Sequence, residues 1–259
     1  MDLATIFATL ISGGAIGLIL GLVGGGGSIL AVPLLVYVVG IGSTHAAIGT
    51  AAVAVSANAI ASLVGHARAG NVKWRCASVF ALAGVVGAAI GAELGKAFDG
   101  QHLLALFGLL MIGVGFSMLP KRRTALAPDV RLTRESAGAL LPRLIPIGLI
   151  TGLAAGFFGI GGGFLIVPGL MFAAAMPLSY AVGSSLMVVT ALGLTTAGSY
   201  SISGLVDWPI TGLLIAGGFL GTVSGIVIGK TLGARESFLE RGFAILVIVI
   251  GANVAVGAI

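Results

Sequence analysis

The chain has 259 residues, of which 58% are hydrophobic and 8% charged, and its mean hydropathy is +1.19. A soluble domain carries about 25% charged residues, so this composition excludes a water-coated globule, and its apolar content excludes disorder. The 44 glycines against eight prolines exclude a rigid coiled coil and, without a three-residue period, collagen; a polytopic α-helical membrane protein with thin, close-packed helices remains.

In chain order, charge-poor apolar runs lie at 3–22, 28–39, 44–65, 75–95, 101–119, 144–158, 164–175, 180–202, 209–229 and 239–258. Most match the roughly 20 residues needed to cross about 30 Å of hydrocarbon. The runs 28–39 and 164–175 are too short, at roughly 18 Å of helix each. Both follow glycine clusters. Irregular backbone at membrane depth must be covered by protein or line a wet cavity. Met1–Gly21 lacks a basic leader and carries Asp2, so it reads as a retained first helix and not as a cleaved signal peptide. The net charge of +5 comes from basic residues in short loops, which argues for membrane orientation and against nucleic acid. The single cysteine, Cys76, rules out an internal disulfide and a cysteine-based metal cluster.

The two halves of the chain match. GLVGGGGSILAVP (Gly21–Pro33) aligns with GFFGIGGGFLIVP (Gly156–Pro168), HAAIGTAAVAV (His45–Val55) with SYAVGSSLMVV (Ser179–Val189), and GNVKW (Gly70–Trp74) with GLVDW (Gly204–Trp208). Gly84, Gly87, Gly91, Gly95 and Lys96 map onto Gly218, Gly221, Gly225, Gly229 and Lys230. This order of pairs marks an internal duplication: a first transmembrane repeat over 1–119, a cytoplasmic linker over 120–143 and a second repeat over 144–259.

Loop charge predicts orientation. Loop 66–75 holds Arg68, Lys73 and Arg75, the linker holds six basic residues, and loop 230–241 holds Lys230, Arg235 and Arg241. Loop 96–102 has only Lys96, and loop 203–208 has Asp207 and no base. The loop ending in Trp74 therefore reads cytoplasmic and its repeat partner, ending in Trp208, external. The predicted fold is thus all-α with two inverted-topology repeats. Each has a glycine-broken helix or a re-entrant hairpin followed by three spans, and both termini lie outside. Full crossings and hairpins both satisfy the inversion.

The glycine breaks are the best candidates for chemistry. Gly24, Gly25, Gly26, Gly27 and Ser28 lead into one apolar segment, and Gly159, Gly161, Gly162 and Gly163 into the other. Glycine lets a ligand approach the main chain, and a helix start offers unpaired N–H groups and the positive end of its dipole. That makes an anion site without a buried cation, and two of them near mid-membrane in inverted repeats is a plan of secondary transporters. No Lys-Ser/Thr follows either cluster, which excludes a phosphate-binding P-loop.

The paired G-x-x-G-x-G-G-x-x-x-x-x-P cores, the A-x-G-[TS] segments and the G-x-[VI]-x-W loops resemble the TauE/SafE sulfite exporter family of bacterial membrane proteins, over nearly the whole chain. The resemblance implies transport of small sulfur-containing anions such as sulfite or organosulfonates across the bacterial inner membrane. It fixes neither the anion nor the direction. Hydroxyls behind the breaks suit such oxygens as donors: Thr50 and Ser184, which are repeat partners, and Ser185, whose partner is Ala51. Asn58 is strongly polar for a mid-helix site, with Leu192 as its partner. The ordinary role for such groups is bonding to a carbonyl of their own helix or bridging helices.

Glu93 and Lys96 read as an interfacial pair at i, i+3, and His45 and His66 as residues near span ends. No metal-ligand cluster, cofactor motif, catalytic constellation or ATP-binding motif stands out, so the chain reads as a non-enzyme, and the driving force as a proton or other ion gradient, a coupling proton included, or the anion's own gradient. The glycine stripes 84–95 and 218–229 predict close helix packing inside the chain, with a homodimer face as the alternative. The reading is a secondary carrier, an exporter, that binds its anion between the breaks and alternates access. The rival is an anion channel with a continuous polar pore.

Overall fold

The computed structural model describes residues 2–118, 132–159, 163–232 and 236–257, and among these it contains helices and no strands. In the first half α1 spans Leu3–Val23, α2 Ala31–Pro33, α3 Thr44–Arg68, α4 Trp74–Ala97 and α5 Gly100–Met118. In the second half α6 spans Arg134–Phe158, α7 Gly163–Ala174, α8 Leu178–Ile202, α9 Trp208–Leu232 and α10 Glu236–Gly257. Seven helical stretches among the described residues are long and apolar enough to cross a membrane. This is an all-α polytopic membrane protein.

Local chemistry sets the helix ends. Asp2 accepts the Thr5 N–H at the start of α1 and Ser43 accepts the Ala46 N–H at the start of α3, the usual N-cap bonds. Thr133 and Ser136 bond each other's backbone N–H groups at the start of α6. That cap starts α6 at Arg134, ten residues before the apolar run predicted from 144, because Arg134 and Glu135 dilute the hydropathy without breaking the helix. At α5, the Asp99 carboxylate accepts the backbone N–H groups of Gln101 and His102. The His102 backbone and ring hold the Asp99 carboxyl below the usual carboxylate range. Helices α3 and α8 end alike: Asn71 N–H bonds His66 O and Gly70 N–H bonds Ala67 O, while Leu205 N–H bonds Tyr200 O and Gly204 N–H bonds Ser201 O. These are Schellman ends, and they need the positive φ of Gly70 (74°) and Gly204 (70°).

The helices pack by exchange between the halves. The first helix of each half lies along the fourth helix of the other, α1 on α9 and α6 on α4. A carbon added at Gly87, Gly91 or Gly95 would strike the carbonyls of Leu149, Leu153 and Phe157 on α6 in turn; one at Gly217, Gly221 or Gly225 would strike those of Leu10, Gly14 and Leu18 on α1. Each pair therefore runs parallel at backbone contact, the arrangement small residues permit. The stripes predicted as packing faces pack within the chain. The opposite faces, with Leu82, Val86, Ile90 and Leu94 on α4 and Phe219, Leu220, Val223 and Val227 on α9, are exposed, as a lipid-facing surface requires.

Helices α3 and α8 form the centre and α5 with α10 a third pair. Both pairs run antiparallel. Gly108 faces Gly251 and Ala255 while Gly115 faces Ala244 and Ile248. Gly49 near the start of α3 meets Leu205 beyond the end of α8, and Gly183 near the start of α8 meets Asn71 beyond the end of α3.

Candidate functional site: two glycine breaks held by serines

The first break is itself wound. Gly24–Leu30 is a 3₁₀ helix, followed by the single α turn α2 and a π-helical stretch, Leu34–Val39. An apolar helix starting directly at Ser28 was expected; the glycines instead carry the helical path onward, because residues without Cβ can wind tightly against neighbouring backbone. The break opens at Gly24, with φ 71°. The second half turns at Gly159, left-handed with φ 66°, and resumes with α7 at Gly163. Gly161 and Gly162, predicted for the same site, lie outside the described residues. Beyond the turn α7 runs back along α6, with Gly169 against Ile147 and Thr151.

The two breaks touch each other. A carbon added at Gly25 would lie 2.6 Å from the Gly163 Cα, and one added at Gly163 would strike the Gly25 carbonyl. Two serines tie this crossing. Gly163 N–H donates to Ser28 Oγ at 3.2 Å, and Ser28 Oγ donates to Gly25 O at 2.9 Å. Gly25 N–H donates to Ser185 Oγ at 3.2 Å, and Ser185 Oγ donates to Val182 O at 2.7 Å. Gly24, Gly25, Gly26, Gly27, Ser28, Gly163 and Ser185 are all buried, and among the residues whose burial is described no Lys, Arg, Asp or Glu is fully buried. The polar groups gathered here are neutral main-chain donors and hydroxyls. Such groups suit an anion with several oxygens, and they lack the donor set of a metal site.

Thr50 and Ser184 join the halves, each at a loop of the other one. Asp207 N–H donates to Thr50 Oγ1 at 3.0 Å, and Lys73 N–H donates to Ser184 Oγ at 2.9 Å. The preceding glycines, Gly49 and Gly183, let the carbonyls of Leu205 and Asn71 approach to backbone contact. Each A-x-G-[TS] segment thus docks the G-x-[VI]-x-W loop of the other half. Replacing Thr50 with Val or Ser184 with Ala leaves a loop N–H without its acceptor, for about 1–3 kcal/mol. The expected result is a lower melting temperature in detergent for both variants and near-normal melting for Thr50→Ser.

Asn58 is not brought to the breaks. Its Nδ2 donates to Leu214 O of α9 at 3.4 Å, in a space open because residue 218 is glycine. Ser56, Thr190, Thr195 and Thr196 bond carbonyls one turn back in their own helices. Glu93 and Lys96 do form an ion pair, at 2.7 Å. Both also reach α8: Ser199 Oγ donates to Glu93 at 2.8 Å, and Lys96 Nζ donates to Ser203 Oγ at 3.0 Å. Sequence reasoning missed that Ile48 and Val182, another repeat pair, wall the turns at Gly159 and Gly24. Their repeat pairing was visible, but nothing in an apolar side chain announces which backbone it covers.

The family model of the sulfite exporter TauE/SafE matches residues 9–254. The chain belongs to the TauE/SafE family. Among curated relatives, a probable membrane transporter protein of Xylella fastidiosa (strain 9a5c) is 48% identical, the match covering 96% of this chain and 95% of that protein. The probable membrane transporter protein YunE of Bacillus subtilis is 26% identical, with 91% of each chain covered. The probable membrane transporter protein MJ0441 of Methanocaldococcus jannaschii is 31% identical, over 70% of this chain and 66% of that protein. This TauE/SafE protein is therefore a multi-pass membrane transporter and not an enzyme.

Proposed function

We propose that this TauE/SafE protein is a secondary carrier, working as an exporter, for small sulfur-containing anions such as sulfite or organosulfonates in the bacterial inner membrane. The meeting of the two breaks carries the reading: Gly25 and Gly163 present main-chain N–H groups to one neutral, buried crossing where Ser28 and Ser185 already act as their acceptors. An anion oxygen replaces a serine oxygen without adding a buried cation. The halves act as inverted repeats with both termini outside. The antiparallel packing of the repeat partners α3 with α8 and α5 with α10 supports this, as does the basic charge of loops 66–75 and 230–241. Access alternates as the exchanged pairs, α1 with α9 and α4 with α6, move against the central helices. A proton gradient or the anion's own gradient drives the cycle. Interrupted helices favour this carrier over a channel with an open polar pore.

The test is counterflow in proteoliposomes with labelled sulfite, sulfoacetate and sulfate across a pH gradient. Saturable exchange of a sulfur anion is expected. No saturable exchange with any of the three overturns the carrier, and a linear voltage-driven current replaces it with a channel. Orientation is read by cysteine labelling in a Cys76→Ala background. Ala69→Cys and Ser203→Cys are better placed than residues 70 and 204, whose positive φ disfavours any side chain. The two cysteines are expected to react with an impermeant maleimide from opposite faces; labelling from one face refutes the inversion.

A further inference from the structure

The last turns of α3 and α8 stand at matching places and carry different side chains. His66 and Tyr200 are repeat partners, each four residues before the glycine that closes its helix end, Gly70 or Gly204. The His66 ring bonds Gly21 O through Nε2 at 3.4 Å, a carbonyl three residues before the break at Gly24. Gly156 holds the same place before Gly159, and α8 touches α6 as α3 touches α1. Tyr200 makes no corresponding bond. Its side chain is fully buried, and its hydroxyl has no hydrogen-bond partner among the described residues.

The neighbours of Tyr200 tie it to the second turn. A carbon added at Gly49 would lie 3.0 Å from the Tyr200 Cβ, and Ile48, the residue before, walls the turn at Gly159. The Lys96 ammonium is 5.9 Å from the centre of the Tyr200 ring, and Gly95, the residue before, lies against the Phe157 carbonyl at the end of α6. Tyr200 therefore packs among residues whose chain neighbours touch Phe157 and Gly159. Glu93 and Lys96 pair with each other at 2.7 Å, so together they add no net charge beside the phenol. A buried donor without an acceptor weakens a fold, and phenylalanine would fill the same space without that cost. Resting on the carrier reading, we infer that the Tyr200 hydroxyl is a further donor to the transported anion at the second break, a specificity-determining group for ligands that carry sulfonate-like oxygens. A phenol donates one strong hydrogen bond to such an oxygen and adds no charge to the membrane interior. The first half spends the equivalent position on the Gly21 carbonyl, so the added donor belongs to the second break alone.

The experiment compares wild type with Tyr200→Phe, by counterflow of labelled sulfite and sulfoacetate in proteoliposomes and by thermal unfolding in detergent with and without the same anions. Tyr200→Phe is expected to raise KM about ten- to a hundred-fold, the loss of one hydrogen bond to a charged oxygen. The melting temperature of the anion-free protein is expected to stay or to rise, because the substitution removes a buried unsatisfied donor, and the further rise on adding anion to shrink. A hydroxyl with a merely structural role gives the opposite pattern, lower melting with KM unchanged. That pattern, or KM and melting both unchanged as a hydroxyl bonded only to water would give, overturns the inference while a transporting wild type leaves the carrier reading intact. A wild type without saturable exchange of either anion removes the carrier reading and this inference together.

Discussion

Gly163→Ala is expected to lose anion counterflow to below about a tenth of wild type and to melt at a lower temperature in detergent. The new methyl would overlap the Gly25 carbonyl, and neither partner can yield. Both are main-chain groups in buried, helically wound segments, and the Gly163 N–H is already spent on Ser28. Overpacking in a close-packed interior costs typically about 1–3 kcal/mol, and more where backbone must shift. Separating the breaks also parts the two sets of donors that would share one anion. Gly25→Ala is expected to behave alike, since its methyl would sit 2.6 Å from the Gly163 Cα. Gly198→Ala, in α8 with open space around it, is the control and gains up to about 1 kcal/mol of helix propensity. Counterflow and thermal unfolding of the three variants check this. Normal transport by Gly163→Ala would place the anion path elsewhere.

Gly221→Leu and Gly87→Leu, the repeat partners on the two stripes, are expected to lose the folded protein altogether. Residue 221 faces the Gly14 carbonyl of α1, and residue 87 the Leu149 carbonyl of α6. A branched side chain there forces each parallel pair apart along its length, because successive glycines hold the helices at backbone contact. The expected cost is at least about 3 kcal/mol. It is read as loss of the monodisperse peak in size-exclusion chromatography and of a cooperative melting transition. Gly212→Ala on α9, with nothing near its Cβ position, is expected to be silent. Equal damage from the two leucine variants would match the exchanged packing, in which each stripe holds the first helix of the other half. A folded, transporting Gly221→Leu protein would contradict it.

Much of this arrangement is legible in the residues. Apolar runs mark the helices within a few positions, since twenty residues without charge have one stable home. Glycine at steps of three and four marks a packing face, because 3.6 residues per turn leaves no other meaning for that period. Thr50 and Ser184 stand out through their repeat positions, yet their partners, the N–H groups of Asp207 and Lys73, do not. The partner of a hydroxyl is chosen by where the chain returns, and backbone donors leave no mark in a sequence. Asn58 illustrates the reverse: its polarity singles it out, but α9 supplies the carbonyl that satisfies it.

The membrane class, the matched motifs of the two halves, the two glycine clusters and the uneven placement of charge are written in residue type and spacing alone. Only the tertiary structure decided that each half lends its first helix to the other, that Gly25 meets Gly163, and that Ser28 and Ser185 fill the donors at that crossing. These are contacts between residues sixty to more than two hundred positions apart. They depend on steric fit of backbone against backbone, and glycine, having no side chain, permits such a fit without naming its partner.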